Sequence, residues 1–556
     1  MKKITRREFI KTSLYAGIGL TVGCQMINKF DIIIKNGMII DGTGIDGFKA
    51  DIGISGEKIT AIGKLSSKKA RKIIDASGKI ISPGFIDIHS HTDTELFVNP
   101  YAEGKLRQGI TTEISGNCGI SPFPLRGKNI AKFHNKLHKR YDIKTNWKDI
   151  EDFFLSLEHN GTAVNYASLI GHGDLRATVV GRNDVKPTTK QMKKMKEIIA
   201  EYMKTGALGL STGLEYAPGS YATTKELIEL SKVVSKYNGI YATHMRNEDD
   251  TVIEAIEEAI EICKKAEVSL EISHLKACNK KNWHKVDIFL DLIQKEINKG
   301  FPILADRYPY NAYSTGLSAF IPIWARQGSD DDIIERLKNK STFKKIAEYI
   351  KGRYANIGGN ERIIISYCSK TENKKYEGKS IKANAILTNS DPIEFTRQLL
   401  ISDKVSTEIV GFAMDENNLK KVVSTPFVNL CTDASARAPY GKLSAGKPHP
   451  RGFGSFPRML GKYVRQEKII NLPNAIRKMT SQPAKKMQLK RRGELKENLY
   501  ADIVIFDPKT VIDNATYTRP RKYPTGIDYV IVNGKIALEN GNRANKTFGK
   551  ILRHKS

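Results

Sequence analysis

The hydrophobic pattern at the two ends of the chain is that of short β-strands. Residues 30 to 82 contain FDIIIKNGMII, ADIGISGEKITAIG and KIIDASGKIISPG, in which apolar residues alternate or run together between Gly and Asp turns. The same pattern returns near the other end, in YADIVIFDP and DYVIVNGKIALENG. We therefore expect one small β-sandwich built from both ends, with residues 29–82 as its first part and 486–556 as its second part and tail.

Between these ends, strand-like segments alternate with longer segments of helical periodicity. The strand candidates are GFIDIHSH, TTEISG, NYASLIGHG, ALGLST, GIYATHM, VSLEISHL, FPILADRYPY and FVNLCTDAS. The helical patterns include 190–205, 224–237, 252–266 and 286–299. This alternation predicts an α/β fold, a (β/α)8 TIM barrel over residues 83–485. The stretch from about 320 to 420 is too long for a plain connection, so we expect an inserted subdomain there.

The first 28 residues carry a different pattern. The basic segment TRREFIK is followed by a short apolar run and then by TVGC. Paired arginines before such a run resemble a twin-arginine export signal, and the run is too short to span a bilayer. Cys24 after Thr-Val-Gly resembles a lipoprotein cleavage site, so we expect a lipid anchor on Cys24 and a location in the periplasm or cell envelope. The alternative is an ordinary uncleaved N-terminal helix.

The charge balance is strongly basic, with 90 Lys and Arg against 60 Asp and Glu and a net charge of +30. The basic residues are spread along the whole chain, and no nucleic-acid-binding motif is found. We therefore expect a solvated basic surface and no nucleic-acid partner. The cysteines, at 24, 118, 263, 278, 368 and 431, include no CxxC pair, which argues against a disulfide framework.

Residues that can bind a metal or titrate follow the strand candidates. They are His89, His91, Cys118, His172, Glu215, Tyr216, His244, His274, Tyr308 and Asp433. The carboxyl ends of all the strands of a (β/α)8 barrel meet at one mouth, which brings such residues together. Imidazole, thiolate and carboxylate groups together suit zinc. We expect His172 to be structural and the metal ligands to be His89, His91, Cys118, His244, His274 and Asp433.

The motifs around these residues resemble the amidohydrolase superfamily and, more narrowly, the N-acyl-D-amino-acid deacylases (D-aminoacylases). They are PGFIDIHSHTD, SGNCG, GLSTGLEYAPG, THMRNE, ISHLK, TDAS and HPRGFGSFPRML, and the resemblance extends from about residue 30 to 545. It implies a (β/α)8 barrel with a small β-sandwich and an inserted subdomain. It also implies one tightly bound zinc ion on Cys118, His244 and His274, and a second, weaker site on His89, His91 and Asp433, with Cys118 shared.

The same resemblance implies an activity and a substrate site. The reaction is zinc-dependent hydrolysis of N-acyl-D-amino acids, with Asp433 moving the proton from water to the leaving nitrogen. Tyr216, Lys276, Tyr308 and Ser314 match positions that hold the substrate carboxylate, with Tyr310 as the alternative to Tyr308. Two other functions stay open: a cyclic-amide hydrolase of the dihydroorotase or hydantoinase kind, and an exported binding protein without catalysis. The side-chain and acyl preferences and the oligomeric state are left open.

Overall fold

The structure is a computed structural model, which describes residues 30–65 and 68–554 of the 556 in the chain. The predicted export signal and Cys24 lie outside the described residues. Within them, no helix combines the length and the apolar character that crossing a membrane requires.

The centre of the molecule is a barrel of eight parallel strands. They are β1 (Phe85–Asp87), β2 (Ile110–Ser115), β3 (Asn165–Ser168, continued by Ile170–Gly171), β4 (Gly209–Gly213), β5 (Ile240–His244), β6 (Ser269–Ile272), β7 (Ile303–Arg307) and β8 (Val428–Leu430). Parallel ladders join β1 to β3 and β3 to β8 in chain order. An isolated parallel bridge between Ser90 and Ala434 closes β8 onto β1. The predicted (β/α)8 barrel is thus confirmed.

Helices cover the outside of this barrel because each has one apolar face. The helix Thr189–Thr205 buries Met195, Ile198, Ile199, Tyr202 and Met203, a spacing of three and four residues that forms one stripe. Its N-terminus is fixed by a capping box between Thr188 and Gln191. The other helices of the barrel layer are Lys128–Tyr141, Ile150–Asn160, His172–Val179, Thr224–Ser235, Val252–Ala266, Lys285–Asn298, Glu416–Ser424, Arg451–Arg458, Leu472–Met479 and Ser481–Lys486.

Two sheets lie beside the barrel, and the second of them combines strands from both ends of the chain. The first contains Phe30–Lys35, Asp51–Ser55, Lys58–Gly63 and Ala70–Asp75. The second contains Met38–Ile39, Phe48–Lys49, Ile80–Pro83, Ile503–Phe506, Ile527–Val532, Lys535–Glu539 and Asn542–Arg543. In it, Ile503–Phe506 pairs antiparallel with Ile80–Pro83, which joins the two ends directly. Isoleucines from both sheets share one buried core.

A separate subdomain is inserted between β7 and the helix Glu416–Ser424. Its antiparallel strands are Tyr313–Gly316, Ile363–Tyr367 and Glu408–Gly411, and its helices are Asp330–Lys338, Lys340–Ile357, Ile381–Leu387 and Pro392–Ser402. They enclose a core of their own. The subdomain begins at Tyr313, earlier than the predicted residue 320, because the short polar strand Tyr313–Gly316 pairs with Glu408–Gly411. That strand carries Ser314 to the barrel mouth.

Candidate metal centre and substrate cavity

A cavity of about 560 Å³ lies where the residues that follow the barrel strands converge. Its volume is within the range of small-molecule sites. All the predicted metal and substrate residues line it except His89, which is fully buried.

One group of predicted ligands is centred on a cysteine and two histidines, and we call it the thiolate half. The Cys118 Sγ lies 3.5 Å from the His274 Nε2, and the His244 Nδ1 lies 3.0 Å from that same nitrogen. One ligand atom from each residue lies within 4.8 Å of the others. Three potential ligands therefore face one point, as a tightly held metal ion requires.

A second group lies beside it, and we call His89, His91 and Asp433 the carboxylate half. The Asp433 Oδ1 lies 3.0 Å from the His91 Nε2 and 3.5 Å from the His89 Nε2. The His89 Nε2 is also 3.3 Å from the Cys118 Sγ. The ligand atoms of all four residues lie within 4.8 Å of one another, which places Cys118 between the two halves.

Three of these residues have backbone conformations that side chains other than glycine rarely adopt. The φ angles are +52° at Cys118, +36° at His274 and +49° at Asp433. Such conformations cost about 1–3 kcal/mol each and are concentrated at functional sites. At Cys118 the loop lies directly on β4, since a Cβ at Gly213 would come within 2.1 Å of the Cys118 carbonyl oxygen.

Buried carboxylates orient the histidines from behind. Asp306 on β7 places Oδ2 3.3 Å from the His89 Nδ1, and its Oδ1 accepts a hydrogen bond of 2.7 Å from the His274 backbone N–H. The Glu248 Oε1 lies 2.8 Å from the His274 Nδ1. These contacts occupy Nδ1 of both rings and leave Nε2 facing Cys118, the usual arrangement around metal-bound histidines.

His244 is oriented the opposite way round. Its Nδ1 faces the thiolate half, and its buried Nε2 has no hydrogen-bond partner within the described part of the chain. That nitrogen lies 3.5 Å from the Glu215 Oε2 and 4.0 Å from the Glu248 Oε2. Acidic groups thus stand behind this ring as well.

The acidic ligands of the centre are held as anions. Burial raises the pKa of the Cys118 thiol, but the imidazoles of His89 and His274 outweigh it, and the pKa falls well below its ordinary value. Burial likewise raises the pKa of Asp433, and Arg451, which donates to its Oδ2 at 2.6 Å, reverses this and lowers it well below the usual range.

Burial lowers the pKa of His91 and His244, but neighbouring carboxylates and the Cys118 thiolate outweigh it and raise the pKa to about 9 and about 10, so metal binding would displace protons from these rings. Thiolate, imidazole and carboxylate atoms facing one point, with acids behind the imidazoles, fit zinc.

A buried lysine holds the seam where β1 meets β8. Lys105 is fully buried, and its ammonium donates to the Asp87 Oδ2 at 2.6 Å, the Thr432 Oγ1 at 2.7 Å and the Ala434 carbonyl at 2.7 Å. The Glu113 carboxylate lies 3.1 Å away. Side-chain bonds thus replace a continuous backbone ladder at this seam.

The same network extends between the residues of the carboxylate half. Ser90 and Thr92 both donate to the Glu113 Oε2, at 2.7 and 2.6 Å. These residues alternate along the chain with His89 and His91. Successive residues of an extended chain point to opposite sides, so the network lies on one side and the imidazoles face the cavity.

Three of the predicted carboxylate-binding residues, Lys276, Tyr308 and Ser314, follow β6 and β7, whereas Tyr216 follows β4. The buried Tyr308 hydroxyl has no hydrogen-bond partner in the described ranges, whereas the Tyr310 hydroxyl donates to Asp513 at 3.2 Å. Of these two tyrosines, Tyr308 lines the cavity. Lys276 donates to the Glu248 Oε1 at 2.5 Å. Their assignment to substrate stays a prediction, as do those of Ser314 and of Tyr216, whose hydroxyl lies 3.3 Å from the Thr315 Oγ1.

Sequence reasoning did not assign roles to several residues that the structure brings to this site. Glu248 and Arg451 stand in the THMRNE and HPRGFG motifs, and that position was the available signal. Asp306 is a carboxylate near the end of an apolar strand, which also could have marked it. His449 begins the same HPRGFG motif, so the same signal was available for it, and its buried ring lines the cavity beside Tyr308.

Comparison with known proteins identifies the family. Residues 72–283 and 437–538 match the model described as "Amidohydrolase family", and residues 11–82 match the N-terminal domain of the urease alpha-subunit. An N-acyl-D-glutamate deacylase from Alcaligenes xylosoxydans xylosoxydans is 33% identical over 95% of this chain and 97% of its own length.

Solved structures agree with this. An N-acyl-D-glutamate deacylase from Bordetella bronchiseptica, complexed with zinc and a phosphonate inhibitor, is 32% identical, with a TM-score of 0.80 over 94% of this chain and 100% of that one. A D-aminoacylase studied for its binuclear metal centre is 31% identical, with a TM-score of 0.79 over 94% of this chain and 100% of that one. This chain is therefore a member of the amidohydrolase family.

Proposed function

We propose that this protein hydrolyses the amide bond of N-acyl-D-amino acids with the help of zinc, releasing a carboxylic acid and a D-amino acid. The observation that carries the proposal is the meeting of Cys118, His244 and His274 beside Asp433 in a cavity of small-molecule size. The similar proteins named as D-amino-acid deacylases support it.

Zinc would be held by the two halves of the centre. Cys118, His244 and His274 bind one ion, and His89, His91 and Asp433, together with Cys118, form a second site. Bound there, zinc supplies a Lewis acid that acidifies water and polarises the acyl carbonyl.

Asp433 moves the proton. Arg451 keeps its carboxylate ionised, so Asp433 starts as a base and takes a proton from the attacking water. A carbon–oxygen bond forms, the carbon–nitrogen bond breaks, and Asp433 passes the proton to the leaving nitrogen. This transfer is needed because an amide anion is too poor a leaving group at neutral pH.

The substrate carboxylate is held on the β6 and β7 side of the cavity. The unpartnered Tyr308 hydroxyl donates to it, and Lys276, Tyr216 and Ser314 complete the group. With the carboxylate and the acyl carbonyl both fixed, the side-chain pocket is the third point that selects the D-isomer.

The test is turnover by purified, zinc-loaded protein on N-acyl-D- and N-acyl-L-amino acids, a hydantoin and dihydroorotate. We expect D-amino acid release that a chelator abolishes and added zinc restores. Ring opening of the hydantoin or dihydroorotate in place of deacylation would support the cyclic-amide alternative. Bound zinc without turnover on any of these amides would support a binding protein.

We also propose that residues 1–28 direct export and that Cys24 anchors the protein to a membrane through lipid. Arg6, Arg7 and the TVGC sequence support this. Fractionation of cells should find the Arg6→Lys/Arg7→Lys variant in the cytoplasm, and Cys24→Ala exported without lipid label. Export of the double-lysine variant at the wild-type level would contradict the signal assignment.

A further inference from the structure

The inserted subdomain contributes one guanidinium to the cavity, and that group already has an anionic partner. Arg353, on the helix Lys340–Ile357, donates to the Asp249 Oδ2 at 2.6 Å. The Asp249 side chain is 7% exposed and that of Arg353 is 25% exposed. Asn279 lies 3.3 Å from the same oxygen, and the Asp250 backbone N–H donates to the Asp249 Oδ1 at 2.6 Å. The pair is thus held firmly against the barrel.

This ion pair is adjacent to the proposed carboxylate site. Asp249 directly follows Glu248, whose Oε1 accepts a hydrogen bond of 2.5 Å from Lys276, and the Cys278 backbone N–H donates to the Glu248 carbonyl at 2.7 Å. Arg353 is therefore a guanidinium of the inserted subdomain that lines the same cavity as Lys276.

The other cations of the cavity are committed or lie elsewhere. Lys276 is paired with Glu248 and Arg451 with Asp433. Two more arginines, at 140 and 437, lie beside Tyr141, on the side of the helix Lys128–Tyr141. The glutamates at 95 and 408 accompany them there. Of the guanidiniums that line the cavity on this side, Arg353 and Arg451 are each paired with a carboxylate. Arg307 has no carboxylate partner among the described residues, but it lies behind the Tyr308 ring, at 4.2 Å from the ring centre, and does not line the cavity.

We infer that the substrates are N-acyl-D-amino acids with uncharged side chains, and that Asp249 is the residue that discriminates against D-glutamate and D-aspartate. The inference rests on the proposed function and deepens it. A second carboxylate on the substrate would lie beside the Asp249 carboxylate and would have to compete with it for Arg353. A buried charge without a partner is costly, so the acidic substrate binds and reacts less well. The similarity to a D-glutamate deacylase does not decide this point, because side-chain preference depends on a few local charges.

The test compares substrates that differ only in charge. We expect N-acetyl-D-glutamine to exceed N-acetyl-D-glutamate at least tenfold in kcat/KM, with the same order for asparagine over aspartate. Asp249→Asn frees Arg353 and should lower the glutamine-to-glutamate ratio at least tenfold. Adding Arg353→Met to that variant should raise the ratio again. Arg353→Met alone leaves Asp249 unneutralised and should raise the ratio above that of the wild type.

Asp250→Asn is the matched control, because Asp250 pairs with Lys281 at 2.8 Å and both side chains are about half exposed outside the cavity. Its ratio should equal that of the wild type. A wild-type preference for glutamate over glutamine would overturn the inference. An unchanged ratio in both Asp249→Asn and Arg353→Met, with zinc content and melting temperature retained, would overturn it too. Failure to hydrolyse any N-acyl-D-amino acid would instead overturn the proposed function, and the inference with it.

Discussion

The two halves of the metal centre are supported from opposite directions. Behind the thiolate half stand Glu215 and Glu248, acidic residues that themselves line the substrate cavity. Behind the carboxylate half stands the network of Lys105, Asp87 and Glu113, which is fully buried and does not line the cavity. The two halves thus differ in whether the residues that support their ligands can contact the substrate.

This difference predicts that metal binding and substrate binding are coupled at the thiolate half and separate at the carboxylate half. Glu248 contacts both His274 and Lys276, so the support of the thiolate half is coupled to the proposed carboxylate site. The Lys105 network fixes the carboxylate half from outside the cavity, although Arg451, which pairs with Asp433, lines the cavity. The His91 side chain is 23% exposed, against 3% for His274. We therefore expect changes near Glu248 to alter binding of metal and substrate together, and changes at the seam to alter the carboxylate half alone.

The largest expected effect follows from removing the proton carrier. Asp433→Asn keeps the shape of the side chain but removes its basicity, and kcat should fall about 10³- to 10⁴-fold. Zinc should remain on the thiolate half, as metal analysis of the purified variant would show. Wild-type turnover by this variant would contradict the proton transfer.

The next effect concerns the ligand between the two halves. Cys118→Ser removes the thiolate, and we expect activity at stoichiometric zinc to fall at least about 100-fold because the metal is lost. Zinc affinity measured against a competing chelator is the direct readout. Cys263→Ser is the control, since that buried thiol donates to the Val268 carbonyl at 3.0 Å, away from the cavity. If Cys118→Ser bound zinc with wild-type affinity, the thiolate half would not be a metal site.

Much of this centre could be predicted from sequence because it depends on local patterns. Apolar strands of the right length each ended in a polar residue, and the barrel geometry places those ends together. The supporting residues could not be found in this way. Lys105 is 327 residues from Thr432 along the chain, yet it donates to that side chain at 2.7 Å only because the barrel closes there. The same closure makes Asp306 a neighbour of His89, 217 residues away.

The first strand of the inserted subdomain also could not be predicted from the pattern of apolar residues. YSTG, at 313–316, has neither an apolar run nor alternation, and it is a strand only because Glu408–Gly411 pairs with it. Tertiary pairing overrides local propensity in such short polar segments. The consequence is functional, because this strand belongs to the cavity wall.

A smaller effect tests the buried support of the carboxylate half. Lys105→Met leaves Asp87 and Glu113 without their cation and should destabilise the fold by about 3–5 kcal/mol. If Lys105 positions Asp433, metal affinity of the carboxylate half should also fall about 10- to 100-fold while the thiolate half keeps its metal. Titration against a competing chelator separates the two metal-binding steps, because the thiolate half is expected to bind its ion tightly and the carboxylate half weakly.

The control for that variant is Lys486→Met, which removes another buried lysine. The Lys486 ammonium donates to the Leu270 and Pro302 carbonyls, outside the cavity. It should destabilise the fold without changing either metal-binding step. If Lys105→Met weakened metal binding equally at the thiolate half and at the carboxylate half, Lys105 would act on stability alone.

The smallest effect tests the coupling at Glu248, where we expect a substitution to weaken zinc binding and to strengthen substrate binding. Burial raises the pKa of Glu248, but Lys276 and His274 lower it well below the usual value, so the group is an anion that both neighbours share. Glu248→Gln should weaken zinc binding by the thiolate half about tenfold, because the His274 ring loses its anionic partner. It should also lower KM for N-acyl-D-amino acids at saturating zinc, because the charge of Lys276 is no longer neutralised.

Glu258→Gln, which removes the partner of Arg246, is the control and should change neither the zinc affinity nor KM. A lower zinc affinity with a higher KM would show that Glu248 holds Lys276 in place for the substrate rather than competing with the substrate for it.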